Sequence, residues 1–337
     1  MNTQREQLIQ TWIQSVLGSD QFEINFLAGD ASFRRYARIV FDHKTLMLMD
    51  APPEKEDCAP FVKIDEFFAE NGVRVPQILA KDLQHGFLLL EDFGDVLLST
   101  LLNDDTVDTY YAQSFKQLVQ LQSIDGKDQF PEYSYEKLIS EMELFTDWML
   151  PSLNIQPTAA QSALIKRTFA ILANAALAQP QVIVHRDFHS RNLMHIAGES
   201  DLGVIDFQDA VIGADTYDLI SIARDAYVQW NPERVYTWFK LFYDGLPETQ
   251  KQDRDFQQFK KDADLMAIQR HLKILGIFVR LFERDGKAGY LKDLPRVMWY
   301  LRQESKSYPE LAAFMQFIED VVMPKFTQKY GVYEVVA

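Results

Sequence analysis

The sequence is short of several things, and each shortage excludes something. Cysteine occurs once, at Cys58, in 337 residues. A single thiol forms neither an internal disulfide nor a cysteine-based zinc site, so a reducing compartment is expected. Cys58 itself reads as a small, partly buried hydrophobe. No apolar run approaches the ~18 residues that a membrane span requires; residues 170–178 and 274–279 are the longest candidates. Residues 1–6 are polar, and no signal peptide is expected. Basic residues are outnumbered, with 34 Lys+Arg against 49 Asp+Glu and a net charge of −15. That balance argues against a general nucleic-acid binder, because phosphate affinity comes from clustered Lys and Arg. A cytoplasmic protein with no nucleic acid and no membrane among its partners is the expectation. Neither internal repeats nor low-complexity linkers are visible.

What is present is ordinary globular composition, 47% hydrophobic and 25% charged, which excludes a disordered or collagenous chain. At ~150 residues per domain the length suggests two lobes. The first, residues 1–92, opens with a helix: Leu8, Ile9, Trp12, Ile13, Val16 and Leu17 repeat at helical spacing before Gly18. Strand-like runs follow at 22–27, 33–41 and 46–49. Their short links cannot hold a crossover helix, so an antiparallel meander is predicted. A helix over 61–71 and strands over 75–80 and 86–90 complete a small β-rich lobe. Residues 93–337 are mostly helical. Ile165, Phe169, Leu172 and Ala176 share one helical face, as do Ile268, Leu272, Leu275, Val279 and Phe282.

The helical pattern breaks once, over 182–207. Val182-Ile183-Val184 reads as a buried strand and runs into His185-Arg186-Asp187-Phe188-His189-Ser190-Arg191-Asn192. Residues 193–196 and 204–207 read as two more strands around a turn, the last containing Asp206. These residue types suit phosphoryl transfer, which needs positioning and charge neutralisation more than covalent chemistry. Magnesium takes hard oxygen ligands, one or two of them from the protein, and Asn192 and Asp206 can supply them. Asp187 can accept the proton of an attacking hydroxyl.

His185-Arg186-Asp187 followed by Asn192 resembles the catalytic loop of protein-kinase-like enzymes, and Val204-Ile205-Asp206-Phe207 resembles their metal segment. Within that superfamily the aminoglycoside phosphotransferase and choline kinase family fits best, including a later Tyr217-Asp218-Leu219. The resemblance implies an α+β, protein-kinase-like two-lobed fold, with a small antiparallel β N-lobe and a mainly helical C-lobe. The C-lobe would hold the catalytic loop at 185–192, the metal segment at 204–207 and a helical acceptor subdomain. It further implies that Asp187 is catalytic, that Asn192 and Asp206 bind Mg2+, and that Asp218 and His185 support the loop. Gly29, Asp30, Ser32, Phe33 and Arg34 resemble the phosphate-covering hairpin of one cytoplasmic branch. Glu91, Asp92 and Phe93 match its lobe junction, where backbone groups are expected to meet the adenine of ATP. That branch includes bacterial kinases of the anomeric hydroxyl of N-acetylmuramate and N-acetylglucosamine, which make the sugar 1-phosphate during cell-wall recycling, and the resemblance implies the same activity here. The implied partner is thus a small amino sugar, the implied cofactors are ATP and Mg2+, and a monomer is the expectation.

The pattern departs from protein kinases at one place. The third strand, Leu46-Met47-Leu48-Met49-Asp50, carries no lysine for the nucleotide phosphates. Lys44 precedes it, and Arg34 or Arg35 can supply the charge instead, with Arg34 favoured. His189, Arg191 and Arg280 are candidate substrate residues; a salt bridge explains Arg280 and Arg284 equally well. Glu66 either pairs with a phosphate-holding cation or is solvated. An aminoglycoside or amino-alcohol phosphotransferase is the alternative within the class. A catalytically silent nucleotide-binding scaffold is the alternative outside it; the missing lysine favours it, and the intact Asp187, Asn192 and Asp206 oppose it.

Overall fold

The computed structural model describes residues 3–27 and 33–334. By contacts the chain divides into two units, Met1–Leu101 with Arg191–Gln208, and Leu102–Ser190 with Asp209–Ala337. No helix among the described residues is long and apolar enough to cross a membrane.

The first unit is built on a five-stranded antiparallel sheet in the order β1-β2-β3-β5-β4. Its strands are β1 (Glu23–Phe26), β2 (Arg35–Phe41), β3 (Lys44–Asp50), β4 (Ile78–Asp82) and β5 (Phe87–Glu91). The expected meander is therefore present. Asp42 and His43, at φ 49° and 60°, link β2 to β3, and two residues at positive φ match the right-handed twist of a tight hairpin. Helix α1 (Thr3–Leu17) buries Ile9 and Ile13 against Ala37, Ile39, Leu48, Phe87 and Leu89 of the sheet. Helix α2 (Ala59–Glu70) turns Phe61 and Phe68 onto Phe207, with ring centroids 5.0 and 5.8 Å away. The strand expected over 75–80 starts later, at Ile78, because Pro76 has no N–H to give a ladder and Val75 folds back to Val73. Two short strands, β7 (Leu193–Met194) and β8 (Gly203–Val204), pair antiparallel in the same unit.

The second unit is helical apart from β6 (Gln181–Val184) and β9 (Val211–Ala214), which pair antiparallel. Its longer helices are α3 (Val107–Gln122), α4 (Tyr135–Leu144), α5 (Ala159–Leu177), α6 (Tyr217–Ala223), α7 (Pro232–Gly245), α8 (Phe256–Asp285) and α9 (Leu294–Ser305). Helix α8 runs through the core. Asp255 caps its start by accepting the Gln258 N–H at 2.8 Å, and Gly286 at φ +71° ends it. The stripe Ile268, Leu272, Leu275 and Val279 is fully buried, as expected, whereas Phe282 is 39% exposed. Gly276 lets α8 lie close to α4, because a Cβ there would sit 2.1 Å from the Leu144 backbone.

One buried acid in the first unit stands out. Asp65 on α2 is 2% exposed, and its Oδ2 has no hydrogen-bond partner among the described residues. Burial, with Glu66 beside it, pushes its carboxyl up to about 7. An unfolded aspartate titrates near ~3.9, so between there and the folded value the folded state holds a proton that the unfolded state has lost. Stability should fall as pH rises through that window and stay low above it. We predict that Asp65→Asn gains about 2 kcal/mol over wild type at pH 8 and close to nothing at pH 4.5, read from urea midpoints. An equal gain at both pH values contradicts this.

Candidate active site

In the second unit, β6 delivers the loop 185–190. Val182, Ile183 and Val184 are apolar and buried, so the strand ends where the first polar residue must find partners. The His185 N–H donates to Asp218 Oδ2 at 2.6 Å, and the Arg186 N–H donates to Asp218 Oδ1 at 3.0 Å. Asp218 lies in the first turn of α6 and is fully buried. Burial pushes its carboxyl up to about 7, against the pull of the His185 N–H, Arg270 and the Arg186 N–H. The far end of the loop is held the same way. Ser190 donates to Asp225 Oδ2 through its N–H at 3.0 Å and its hydroxyl at 2.5 Å, and Asp225 is 1% exposed. Two buried carboxylates therefore bracket Asp187. Between them Arg186 has φ +75°, a left-handed conformation that costs a side chain of this kind ~1–3 kcal/mol and persists only when its surroundings impose it.

The Asp187 side chain is 42% exposed, with Arg270 Nη2 3.9 Å from its Oδ1. Burial works against its charge, but Lys273 and Arg270, followed by His189 and His185, outweigh that and hold the carboxyl down at about 2. It is ionised at neutral pH. His185 is buried; its Nδ1 faces the Asp187 N–H at 3.3 Å and its ring meets Phe188 at 5.9 Å. His189 donates its N–H to the Asp187 carbonyl at 2.9 Å, and its ring lies edge-on to Tyr227 at 5.5 Å. Arg280 is half-buried further along α8, its guanidinium pushed down by burial and by Arg284, which pairs with Asp285. The structure does not bring Arg280 into the Asp187 cluster.

The first unit holds the other expected residues. Ile205 donates its N–H to the Asn192 carbonyl at 3.1 Å, extending the β7–β8 pairing. Asn192 Nδ2 then lies 3.3 Å from Asp206 Oδ2, and Gln208 Nε2 donates to Asp206 Oδ1 at 2.8 Å. The strand expected over 204–207 ends at Val204 because Asp206 adopts φ +64°, which breaks the ladder. Phe207 is fully buried while Asp206 is exposed, so packing of the phenylalanine aims the acid outward. An amide and a carboxylate side by side offer two hard oxygens, the share of a magnesium shell that proteins supply when phosphates and water complete it. No group of three or more His, Cys, Asp or Glu among the described residues is placed to hold a metal ion.

Lys44, the exposed first residue of β3, and Arg35, which pairs with the buried Asp50 at 2.5 Å, are two candidates for the missing lysine. Arg34 pairs with Glu56 at 2.6 Å, with its side chain 9% exposed. Burial raises the nearby Tyr36 hydroxyl, Arg34 lowers it and Asp206 raises it, so Arg34 and Asp206 face one phenol. Glu66 pairs with Lys81 at 2.6 Å, both about half exposed. Phe33 is 62% exposed under the Lys55 ammonium. Glu91 is tied to Arg74 at 2.6 Å, and its N–H is taken by the Gln77 carbonyl. Asp92 pairs with Arg38 at 2.6 Å and accepts the Gly94 N–H. Phe93 lies under the Arg74 guanidinium and against Gly203, where a Cβ would sit 2.4 Å from its ring. Arg191 is exposed. Gly29, Asp30 and Ser32 lie outside the described residues.

Sequence reasoning missed Asp225, Glu56, Glu141, Arg270 and Lys273. Only the last two left a trace, as cations on the long helix α8 away from its apolar stripe.

The phosphotransferase enzyme family model matches residues 23–251, and the chain belongs to that family. Its antiparallel sheet and helical second unit are those of protein-kinase-like phosphotransferases. The chain is 42% identical over 291 residues to the N-acetylmuramate/N-acetylglucosamine kinase of Pseudomonas aeruginosa, covering 85% of this chain and 84% of that one. It is 38% identical over 330 residues to the enzyme of the same name from Neisseria meningitidis serogroup B, covering 95% and 96%. Among solved structures it resembles the ADP-bound aminoglycoside phosphotransferase APH(2'')-Ib, with TM-score 0.58, 12% identity and coverage of 90% and 99%. It also resembles the choline kinase of Streptococcus pneumoniae, with TM-score 0.57, 16% identity and coverage of 88% and 99%.

The clamp at Ser190 is testable. Asp225 accepts three hydrogen bonds, from the Ser190 N–H and hydroxyl on Oδ2 and from the Tyr227 N–H on Oδ1, and the amide of Asp225→Asn must turn its NH2 toward one of these two sites. Leaving a buried donor unsatisfied costs ~1–3 kcal/mol. We predict a lowered thermal midpoint and a turnover loss of about tenfold or more, through displacement of Asp187. A variant with wild-type turnover and a lowered midpoint contradicts the role of Asp225 in holding the loop.

Proposed function

We propose that this protein is a cytoplasmic, ATP-dependent kinase that phosphorylates the anomeric hydroxyl of N-acetylmuramate or N-acetylglucosamine. The product is the sugar 1-phosphate, in cell-wall recycling, and a single chain acts on a free small molecule. The observation that carries this reading is near-full-length identity, 38% over 95% of the chain, to a kinase of those two sugars. The aminoglycoside and choline enzymes share the fold and add no acceptor.

The chemistry assigned to each residue follows from its surroundings. Asp187 accepts a hydrogen bond from the acceptor hydroxyl and takes its proton as the oxygen bonds to the γ-phosphorus and ADP leaves. A carboxylate held down at about 2 is a weak base. In a loose transition state the hydroxyl loses its proton late, so an ionised, correctly aimed carboxylate suffices. A hemiacetal hydroxyl, more acidic than an ordinary alcohol, eases that demand further. Asn192 and Asp206 would hold magnesium by their oxygens. When bound, the ion neutralises charge on the transferring phosphates. Arg34, oriented by Glu56 and Tyr36, takes the place of the strand lysine on the nucleotide phosphates.

Two outcomes are expected. In assays run side by side with N-acetylmuramate, N-acetylglucosamine, choline and kanamycin, wild type should turn over the two sugars, and Asp187→Asn should lose about 10²–10⁴-fold in kcat. Equal turnover in Asp187→Asn, or preference for choline or kanamycin, overturns the reading. Arg34→Ala should raise the apparent KM for ATP by about tenfold, the size of one charge-assisted phosphate contact. An unchanged ATP affinity removes Arg34 from the phosphate site.

A further inference from the structure

Asp187 needs an aim as well as a charge. We propose that Arg270 is the positioning residue that sets the direction of Asp187, acting through the Arg186 peptide. This rests on the reading that Asp187 takes the acceptor proton.

The geometry is specific. Arg186, immediately before Asp187, has φ +75°. Asp218 accepts its N–H at 3.0 Å, and Arg270 Nη1 donates to its carbonyl at 2.9 Å. One strained residue is thus gripped at both ends of its backbone. The same Nη1 lies 3.0 Å from the Tyr217 hydroxyl, and Nη2 lies 3.9 Å from Asp187 Oδ1. The planar fork reaches a carbonyl and a hydroxyl through Nη1 while Nη2 faces the carboxylate; an ammonium can keep only part of that set.

Arg270 is itself held. One turn along α8, Lys273 reaches the Tyr217 hydroxyl at 3.2 Å and Glu141 at 3.1 Å. Glu141 receives the Arg186 guanidinium at 2.6 Å and the Tyr133 hydroxyl. The partners close a ring: Arg186, Glu141, Lys273, Tyr217, Arg270, and back to Arg186. Each cation stands beside an acid: Arg186 and Lys273 meet Glu141, and Arg270 faces Asp187. The Arg270 and Lys273 side chains are 7% and 11% exposed. Charge balance and burial both argue against a substrate anion docking on these two cations, and for a fixed frame behind Asp187.

The frame predicts a split between kinetic constants. Loss of Arg270 frees the Arg186 peptide while Lys273 still favours the ionised Asp187, so the damage is one of aim. Steady-state kinetics with MgATP and N-acetylmuramate decide, using Arg270→Gln, Arg270→Lys, Tyr217→Phe and Asp187→Asn, with thermal midpoints alongside. Arg270→Gln should lose about 30-fold or more in kcat, because misplacement of about 1 Å can cost 10²-fold. Both KM values should stay within about threefold, since only the chemical step is touched. Arg270→Lys should recover part of kcat, and Tyr217→Phe should lose less than Arg270→Gln. If Arg270→Gln folds and keeps wild-type kcat while Asp187→Asn is inactive, the inference fails and the kinase reading stands. If Asp187→Asn is active, the kinase reading fails first. A raised acceptor KM at unchanged kcat makes Arg270 a substrate contact and overturns the inference. Should Arg270→Gln not fold, Tyr217→Phe decides, and unchanged kcat there overturns it.

Discussion

Two consecutive peptide N–H groups, those of His185 and Arg186, point at one buried carboxylate. That contact fixes where β6 ends and how the chain turns toward Asp187. Buried backbone donors must be satisfied, and a loop leaving a buried strand has no water to do it. Asp218 meets the need from the first turn of α6, a place where helix and carboxylate suit each other. Once the two donors are pinned, Arg186 is forced through the left-handed region and Asp187 emerges on the exposed side. Asp225 repeats the device at Ser190, so the segment between the two acids has little freedom left.

Charge follows from the same arrangement. Burying Asp218 and Glu141 requires compensation, and the second unit provides it from α8 through Arg270 and Lys273 and from the loop through Arg186. These cations keep Asp187 ionised as a by-product of neutralising the buried acids. In the first unit the logic is different. Asp206 is exposed and tethered by Asn192 and Gln208 rather than by a buried cation.

The sequence exposed the parts whose signals are local. The meander was legible from short runs and short links, the α8 stripe from its period, and the Asp187, Asn192 and Asp206 set from fixed spacing. Three kinds of feature were not. β9 was hidden because Gly213 and its neighbours resemble a loop, and only pairing with β6 makes them a strand. The end of β8 was misplaced because an apolar-looking Val204-Ile205-Asp206-Phe207 run gives no sign that Asp206 turns left-handed; the burial of Phe207 decides that. Glu141, Arg270 and Lys273 were missed because their partners lie far off in sequence, Glu141 and Arg186 being 45 positions apart. A lysine or arginine on a long helix is a signal only once burial is known, and it names no partner until the fold does.

The central claim is that Asp218 holds the loop through the His185 and Arg186 amides. Amide hydrogen exchange of these two residues, in wild type and in Asp218→Asn at one pH, tests it most directly. Strong protection in wild type, lost by about 100-fold or more at Arg186 in the variant while Val182 and Val184 in β6 keep theirs, is the predicted result. Unchanged protection at Arg186, or loss spread equally through β6, contradicts it.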